Sequence, residues 1–496
     1  MHLGPAGRMR GNTSITSHPK TCGIGPRCME NGERTMNAIL KDLKEAIAGT
    51  SQDFTSGSLR RAIFLLAIPM VLEMAMESVF AVVDIYFVSR LGADAVATVG
   101  ITESMVTIIY AVGMGFSLAT TAMVSRRMGE KKPREAAEAA FQSIVTGLLM
   151  SLIIAIPGGL FAPKLLSLMG ASESVCASMS GYTTVMLAGN GVIMLLFIIN
   201  AVFRSAGDAA ISMRVLWIAN ILNLILDPVL IFGLGPFPEL GVTGAAIATN
   251  IGRGTAVLYQ FYLLFSGSTR IKLTRKDIRV HFHTIGQLIK LALGGISQHL
   301  IAHSSWIGLM RIVAVFGSTA VAGYTIAIRV VVFALLPCWG IANAAATLVG
   351  QNLGAQKPDR AEKSVWVTGK ANMLIMGLIS VALMVTPRTF IQMFIGDPEV
   401  IAHGAAALRI MAYGFIAYGL GMVMVQALNG AGDTATPTKI NLVCFWLFEI
   451  PLAYVLSITL QIGPAGTFYS IIIAETAMAL CAMQAFRRGR WKLRQV

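Results

Sequence analysis

Apolar runs about 20 residues long, the length a hydrocarbon core of roughly 30 Å demands of a helix, recur along the chain with little between them. They cover Ala62–Val88, Val96–Val124, Ser143–Leu160, Thr183–Phe203, Val215–Leu234, Val242–Phe265, Ile285–Phe316, Val330–Val349, Ala371–Val385, Ala405–Leu428, Leu442–Leu460 and Tyr469–Ala485. The pattern predicts an all-α polytopic membrane protein with twelve transmembrane helices and no large soluble domain. Composition agrees: the chain is 55% hydrophobic and 13% charged, against about 25% charged in an ordinary soluble domain.

The net charge of +14 is not spread evenly. Arg60 and Arg61 precede the first run, and Arg126, Arg127, Lys131, Lys132 and Arg134 follow the second. Arg204 and Arg214 flank a later even connection, and the longest central loop carries Arg270, Lys272, Arg275, Lys276 and Arg279. Lys357, Arg360 and Lys363 follow the eighth run, and Arg487, Arg488, Arg490, Lys492 and Arg494 crowd the tail. The odd connections hold only Arg90, Lys164 and Arg388. Basic loops stay in the cytoplasm, so both termini are expected there, with the protein multi-pass in the inner or plasma membrane. The charge is thus a topology signal, and no nucleic-acid partner is expected.

Residues 1–55 lack an apolar leader core and are polar and Gly-rich, so a mobile cytoplasmic tail is expected. Met36 opens a short amphipathic stretch (Ile39, Leu40, Leu43, Ala46, Ile47), either a surface helix or the true start. Cys22 and Cys28 form a weak metal motif that no histidine cluster completes. No cofactor is expected.

A shift of 225 residues lays one half of the chain on the other. Leu66-Ala67 falls on Leu291-Ala292, Gly92 on Gly317, Gly115 on Gly340, Gly129 on Gly354, Pro133 on Pro358, and Ala206-Gly207-Asp208 on Ala431-Gly432-Asp433. Each half holds six runs, so the two have the same orientation in the membrane. We therefore expect six-helix bundles at 56–280 and 281–496, the second ending in a basic tail. Transporters built from such parallel halves bind substrate between them and rock to alternate access.

Carboxylates inside a span are costly and mark function. The first run carries Glu73, Glu77 and Asp84, within about 40° of one another at 100° per residue. The fifth carries Asn223 and Asp227, four residues apart, and Pro228, which leaves the Leu224 carbonyl without its usual donor. Asn200 lies in the fourth run, and Thr249 and Asn250 lie in the sixth. Carboxylate, amide and carbonyl oxygens suit Na⁺, and a carboxylate alone serves H⁺. The 225-residue shift carries Asp84, Asn200, Asn223, Asp227 and Thr249 onto apolar Leu309, Val425, Phe448, Leu452 and Ala474, although Glu449 and Glu475 lie beside two of these. His299 and His303, four apart, form either a proton relay or a packing pair, and Arg329 is expected to pair with Glu103. The 27 methionines fit adaptable surfaces and membrane-core filler equally well.

Ile68-Pro69, Val83-Asp84, Leu91-Gly92 and Ala97-Thr98-Val99-Gly100 resemble the first span and loop of multidrug and toxic compound extrusion (MATE) transporters. Arg126-Arg127-Met128-Gly129 and Gly350-Gln351-Asn352-Leu353-Gly354-Ala355 resemble that family's paired cytoplasmic loops. The stretches from Asn200 to Asp208 and from Leu222 to Pro228 resemble its archaeal, DinF-like branch. The resemblance implies a cation-coupled (H⁺ or Na⁺) antiporter, with no enzymatic activity, that exports organic cations or amphipathic drugs by alternating access, working as a monomer in lipid. It places a coupling-ion site at Asp84, Asn200, Asn223, Asp227 and Thr249, with Na⁺ held at Asp84, Asn223, Asp227 and Thr249 if Na⁺ is the ion. Glu73 and Glu77 depart from that branch and are expected to line the substrate cavity. The alternative is a lipid-linked oligosaccharide flippase of the same superfamily.

Overall fold

The computed structural model describes residues 37, 40–50 and 52–496 and is helical throughout, with no strand among them. Cys22, Cys28 and Met36 lie outside the described residues. The long helices are α1 (Leu59–Ser89), α2 (Ala93–Gly129), α3 (Pro133–Leu160), α4 (Glu173–Ala188 continued by Asn190–Ala206), α5 (Ala209–Phe232) and α6 (Gly241–Ser266). The second set is α7 (Phe282–Val313), α8 (Ser318–Gly354), α9 (Pro358–Val385), α10 (Pro398–Ala412 continued by Phe415–Gly430), α11 (Ala435–Thr459) and α12 (Pro464–Arg487).

Ten of these are long and apolar enough to cross a membrane, and α10 passes as a pair bent by 59°. The remaining one, α6, has the length to cross, but Thr249, Asn250, Arg253 and Gln260 lower its hydropathy. The protein is therefore a multi-pass membrane protein. Prolines at the first helical turn open α3, α9 and α12, where a missing N–H costs nothing. The Asp397 carboxylate accepts from the Glu399 and Val400 N–H groups and caps α10.

The internal repeat extends to the helix ends. Moved by 225 residues, Ala93–Gly129 becomes Ser318–Gly354 and Pro133–Leu160 becomes Pro358–Val385. Even the bend after α2 repeats, with Lys131 at φ 58° and Gln356 at φ 56°.

One hydrophobic core runs from Val88 to Ala292 and a second from Leu309 to Trp491. A boundary at 280/281 separates them only in part. Leu288 and Ala292 of α7 belong to the first core, and Ala62–Met70 of α1 pack on Ile341, Ala344 and Leu348 of α8. Glycine makes these crossings possible: a Cβ on Gly340 would meet the Met70 carbonyl, one on Gly295 would meet Gly115, and one on Gly129 would meet the Gln351 carbonyl.

These crossings lie toward the end of the bundle that carries the basic loops, and the described residues before α1 and after α12 reinforce that end. The packed body begins before residue 56, which moves the boundary expected for the tail. Residues 40–48 are helical, Ala46 and Phe54 are buried, and Arg61 pairs with Asp42 and Glu45. The backbone of residues 50–57 offers its carbonyls to basic side chains of both halves. Arg270 donates to Thr50 and Gln52 O, Lys357 to Thr55 O, and Arg360 to Phe54, Ser56 and Gly57 O. At the other terminus, Arg126 donates to Arg494 O and Arg127 to Val496 O, while Arg494 pairs with Asp433 and Lys492 with Glu362.

Candidate functional site

The first half buries a polar network that runs along α1 and joins α2, α4, α5 and α6. At its basic end is Glu73, only 2% exposed. Its Oε1 accepts from Arg204 Nη1 at 2.7 Å and from Asn200 Nδ2 at 3.3 Å, both on α4. Gln260 of α6 closes this layer by donating to Asn200 Oδ1 at 2.7 Å. One helical turn along, Glu77 accepts from Arg253 Nη2 of α6 at 3.0 Å and from Asn220 Nδ2 of α5 at 3.5 Å. Arg253 also donates to the Tyr110 hydroxyl and lies over the Phe80 ring.

Farther along α1 is a layer of a different character. Asn223 Nδ2 donates to Asp227 Oδ1 at 3.1 Å and to Thr249 Oγ1 at 3.2 Å. That uses both amide hydrogens of Asn223 and leaves three carbonyl and carboxylate oxygens over, with the Thr249 hydroxyl proton as the one donor still available in the group. Asn223 Oδ1, Asp227 Oδ2 and Asp84 Oδ1 are buried oxygens with no hydrogen-bond partner. Tyr182 of α4, 4% exposed, lies within reach of the charges of both Asp84 and Asp227. A buried acceptor without a donor is expensive, and surplus acceptors are what a proton or a small hard cation satisfies.

Asp84, Asn223, Asp227 and Thr249 are thus brought into one region of the first half. Asn200 is placed elsewhere, in the Glu73–Arg204 layer. Glu73 does not line an open cavity as expected: burying a carboxylate among helices requires a counter-charge, and Arg204 supplies it. Glu77, 30% exposed at its side chain, keeps access to the space beside α1. Arg253, Gln260, Tyr110 and Tyr182 were not anticipated. Arg253 had a signal, since an arginine in the middle of a span needs a partner and α1 supplies carboxylates; the others carry no charge to mark them.

The outlying candidates resolve simply. The His299 and His303 rings each bond through Nδ1 to the carbonyl four residues earlier, Gly295 O at 2.9 Å and His299 O at 3.0 Å, which holds the two rings along α7 and occupies one nitrogen of each. Glu103 and Arg329 are both exposed and make no direct ion pair among the described residues, but they lie close enough for their opposite charges to interact.

Comparison with known proteins agrees with the helical repeat. Residues 69–229 and 297–455 match the MatE family, one match in each half. The chain is 24% identical over 435 residues to "Multidrug export protein MepA" of Staphylococcus aureus, covering 87% of this chain and 94% of that protein. It is 25% identical over 398 residues to "FAD transporter" of Shewanella oneidensis, covering 80% and 88%. Among solved structures, the outward-facing conformation of a multidrug resistance MATE family transporter superposes with a TM-score of 0.84 at 23% identity, covering 89% of this chain and 98% of that one. With twelve helices in two repeated sets and a family match in each, the chain belongs to the MatE family of membrane transporters, which move small molecules rather than catalyse reactions.

Proposed function

We propose that the protein is a cation-coupled antiporter that exports organic cations or amphipathic small molecules, working as a monomer in the plasma membrane with both termini in the cytoplasm. The observation that carries this reading is the surplus of acceptors around Asp84 and Asp227. Three buried oxygens of the Asp84–Asp227 layer lack donors and no ion pair offsets that layer among the described residues; Glu73 Oε2 also lacks a donor, but the Glu73 carboxylate is paired with Arg204, as Glu77 is with Arg253. A proton or a Na⁺ ion supplies the missing positive charge, with Asp84, Asn223, Asp227 and Thr249 holding it. Relatives named for multidrug export support the cargo class.

The coupling follows from the cost of burying charge. With the ion absent, Asp84 and Asp227 repel each other and draw α1 toward water or a cationic cargo. With the ion bound, that cost is gone and the helix settles against α5. Pro69 lies within α1 and removes one backbone bond there, so the helix bends at low cost. Glu77 is the residue through which cargo is felt: an organic cation competes with Arg253 for its carboxylate. Ion and cargo exchange only because each has a different affinity for the two bends. With the halves in contact at the basic end, the arrangement corresponds to a transporter closed to the cytoplasm.

The deciding experiment is efflux from proteoliposomes of a panel of organic cations and neutral amphiphiles, with H⁺ and Na⁺ gradients imposed separately. Export driven by one gradient and abolished in Asp84→Asn supports the reading. Equal export with and without either gradient overturns it.

A further inference from the structure

Outside the first-half network, the bundle holds two carboxylates that no cation offsets. Glu449 of α11 is 2% exposed, and its partner is the Ser305 hydroxyl of α7 at 2.7 Å. Glu475 of α12 is half-buried and close enough to interact with Glu449. Neither forms an ion pair among the described residues.

The repeat explains why they are there. In the first half Asn220 of α5 donates to Met76 O of α1; in the second, Trp446 of α11 donates to Ile301 O of α7. Met76 and Ile301 are 225 residues apart, but Asn220 and Trp446 are 226 apart. The extra residue is taken up by α11, which runs as a π-helix over Leu442–Glu449. In this corrected register Glu449 stands where Asn223 stands, and Ser305 stands where Phe80 stands. On the last helix of each half, Gly244 presses on Leu230 and Gly466 on Leu456, which fixes the offset there at 222 residues and places Glu475 at the position of Arg253. The second half therefore keeps the pocket and replaces its cation by an acid.

A buried tyrosine points to what fills it. Tyr324 of α8 is 1% exposed and stacks on Phe468 at 5.9 Å. Its hydroxyl has no hydrogen-bond partner and lies within reach of both carboxylates. The remaining titratable neighbours are Cys338 of α8, Tyr418 of α10, Cys444 of α11 and Cys481 of α12, none of which supplies positive charge. The histidines of α7 are tied to carbonyls of their own helix. Hydroxyl donors alone do not balance two carboxylates in this setting.

We propose that Glu449 and Glu475 form a second cation site, in which the two carboxylates share one proton. The proton passes from water to the carboxylate pair and returns to water, with no other bond made or broken. Ser305 and Tyr324 orient the acid form.

The test uses the full chain in lipid and reads the carboxylic-acid carbonyl band by infrared difference spectroscopy between acid and alkaline buffer. In an Asp84→Asn, Asp227→Asn background, which silences the first-half carboxylates, the chain should show a band that is lost or shifted in Glu449→Gln and in Glu475→Gln, with thermal unfolding confirming that both variants fold. A band unchanged by both glutamine variants overturns the proposal. So does a band abolished when choline is replaced by Na⁺ at constant pH, because the site then takes Na⁺ instead. The spectrum does not depend on transport. Absence of gradient-driven efflux in wild type, with the band present, would remove the coupled-export reading and leave this site standing.

Discussion

Glu73 and Arg204 are joined by a 2.7 Å ion pair, and 225 residues later the same two positions are occupied by Gln298 and Asn429, which exchange two hydrogen bonds of 3.1 Å. A charged clasp in one half is a neutral clasp in the other. The fold needs a polar tie between these helices, not a charge. The first half has added charge to a position where an amide pair suffices.

Removing one partner of such a pair should be far worse than replacing both. Arg204→Asn leaves the Glu73 carboxylate buried without a counter-charge and should cost about 3–5 kcal/mol. The double variant Glu73→Gln, Arg204→Asn copies the second half and should recover most of that loss. Thermal unfolding of the three proteins in detergent reads the order directly; a double variant no better than the single would show that the clasp is not transferable.

Asp84→Asn and Asp227→Asn should each abolish gradient-driven efflux while leaving insertion and fold intact, because asparagine fixes the neutral form of the carboxylate. Counterflow of a labelled cargo, which needs no net ion movement, should survive in both variants. Loss of counterflow together with gradient-driven efflux would assign these residues to the cargo path instead.

Glu77→Gln should weaken cationic cargo more than neutral cargo. The amide no longer attracts a positive group, whereas the apolar walls beside it are unchanged. Parallel efflux assays with a cationic dye and a neutral amphiphile give the comparison, and equal losses would remove Glu77 from cargo recognition.

Asp277, in the linker between the halves, gives a pH prediction. Burial works against its charge, but the Thr274 hydroxyl and N–H together with Arg134 outweigh that effect and hold its carboxyl below the ordinary aspartate range. Its contribution is therefore fully present above about pH 4, the unfolded value, and is lost as pH falls through the lower folded value. Asp277→Asn should lower stability by about 1 kcal/mol at pH 7. The difference from wild type should shrink in strong acid, as measured by detergent melts across pH.

Much of this was legible in the sequence, for definable reasons. The spans show in apolar run length, and the two halves in a fixed offset carried by Gly92, Gly129, Pro133 and Asp208. The pairing of Asn223 with Asp227 follows from helical spacing alone. Partners that meet through space were not legible: Arg253 is 176 residues from Glu77, and no periodicity connects them. The acidic pair of the second half was obscured by a single extra residue. A fixed 225-residue shift puts Phe448 opposite Asn223, and only the wide turns of α11 reveal that Glu449 is the true counterpart. The family resemblance puts Asn200 in the Asp84 layer, yet its side chain bonds to Glu73 and Gln260 instead.

The residues after α12 bear on the balance between states. The last residues, Lys492 to Val496, are seated against Arg126, Arg127, Glu362 and Asp433, and a side chain at Gly432 would strike Val496. Gly432→Ala would push Val496 out of this crowded seam. Such a variant should shift the sample toward the alternative state before any ligand is added, so its affinities should differ from wild type even though it alters no residue of the Asp84 layer.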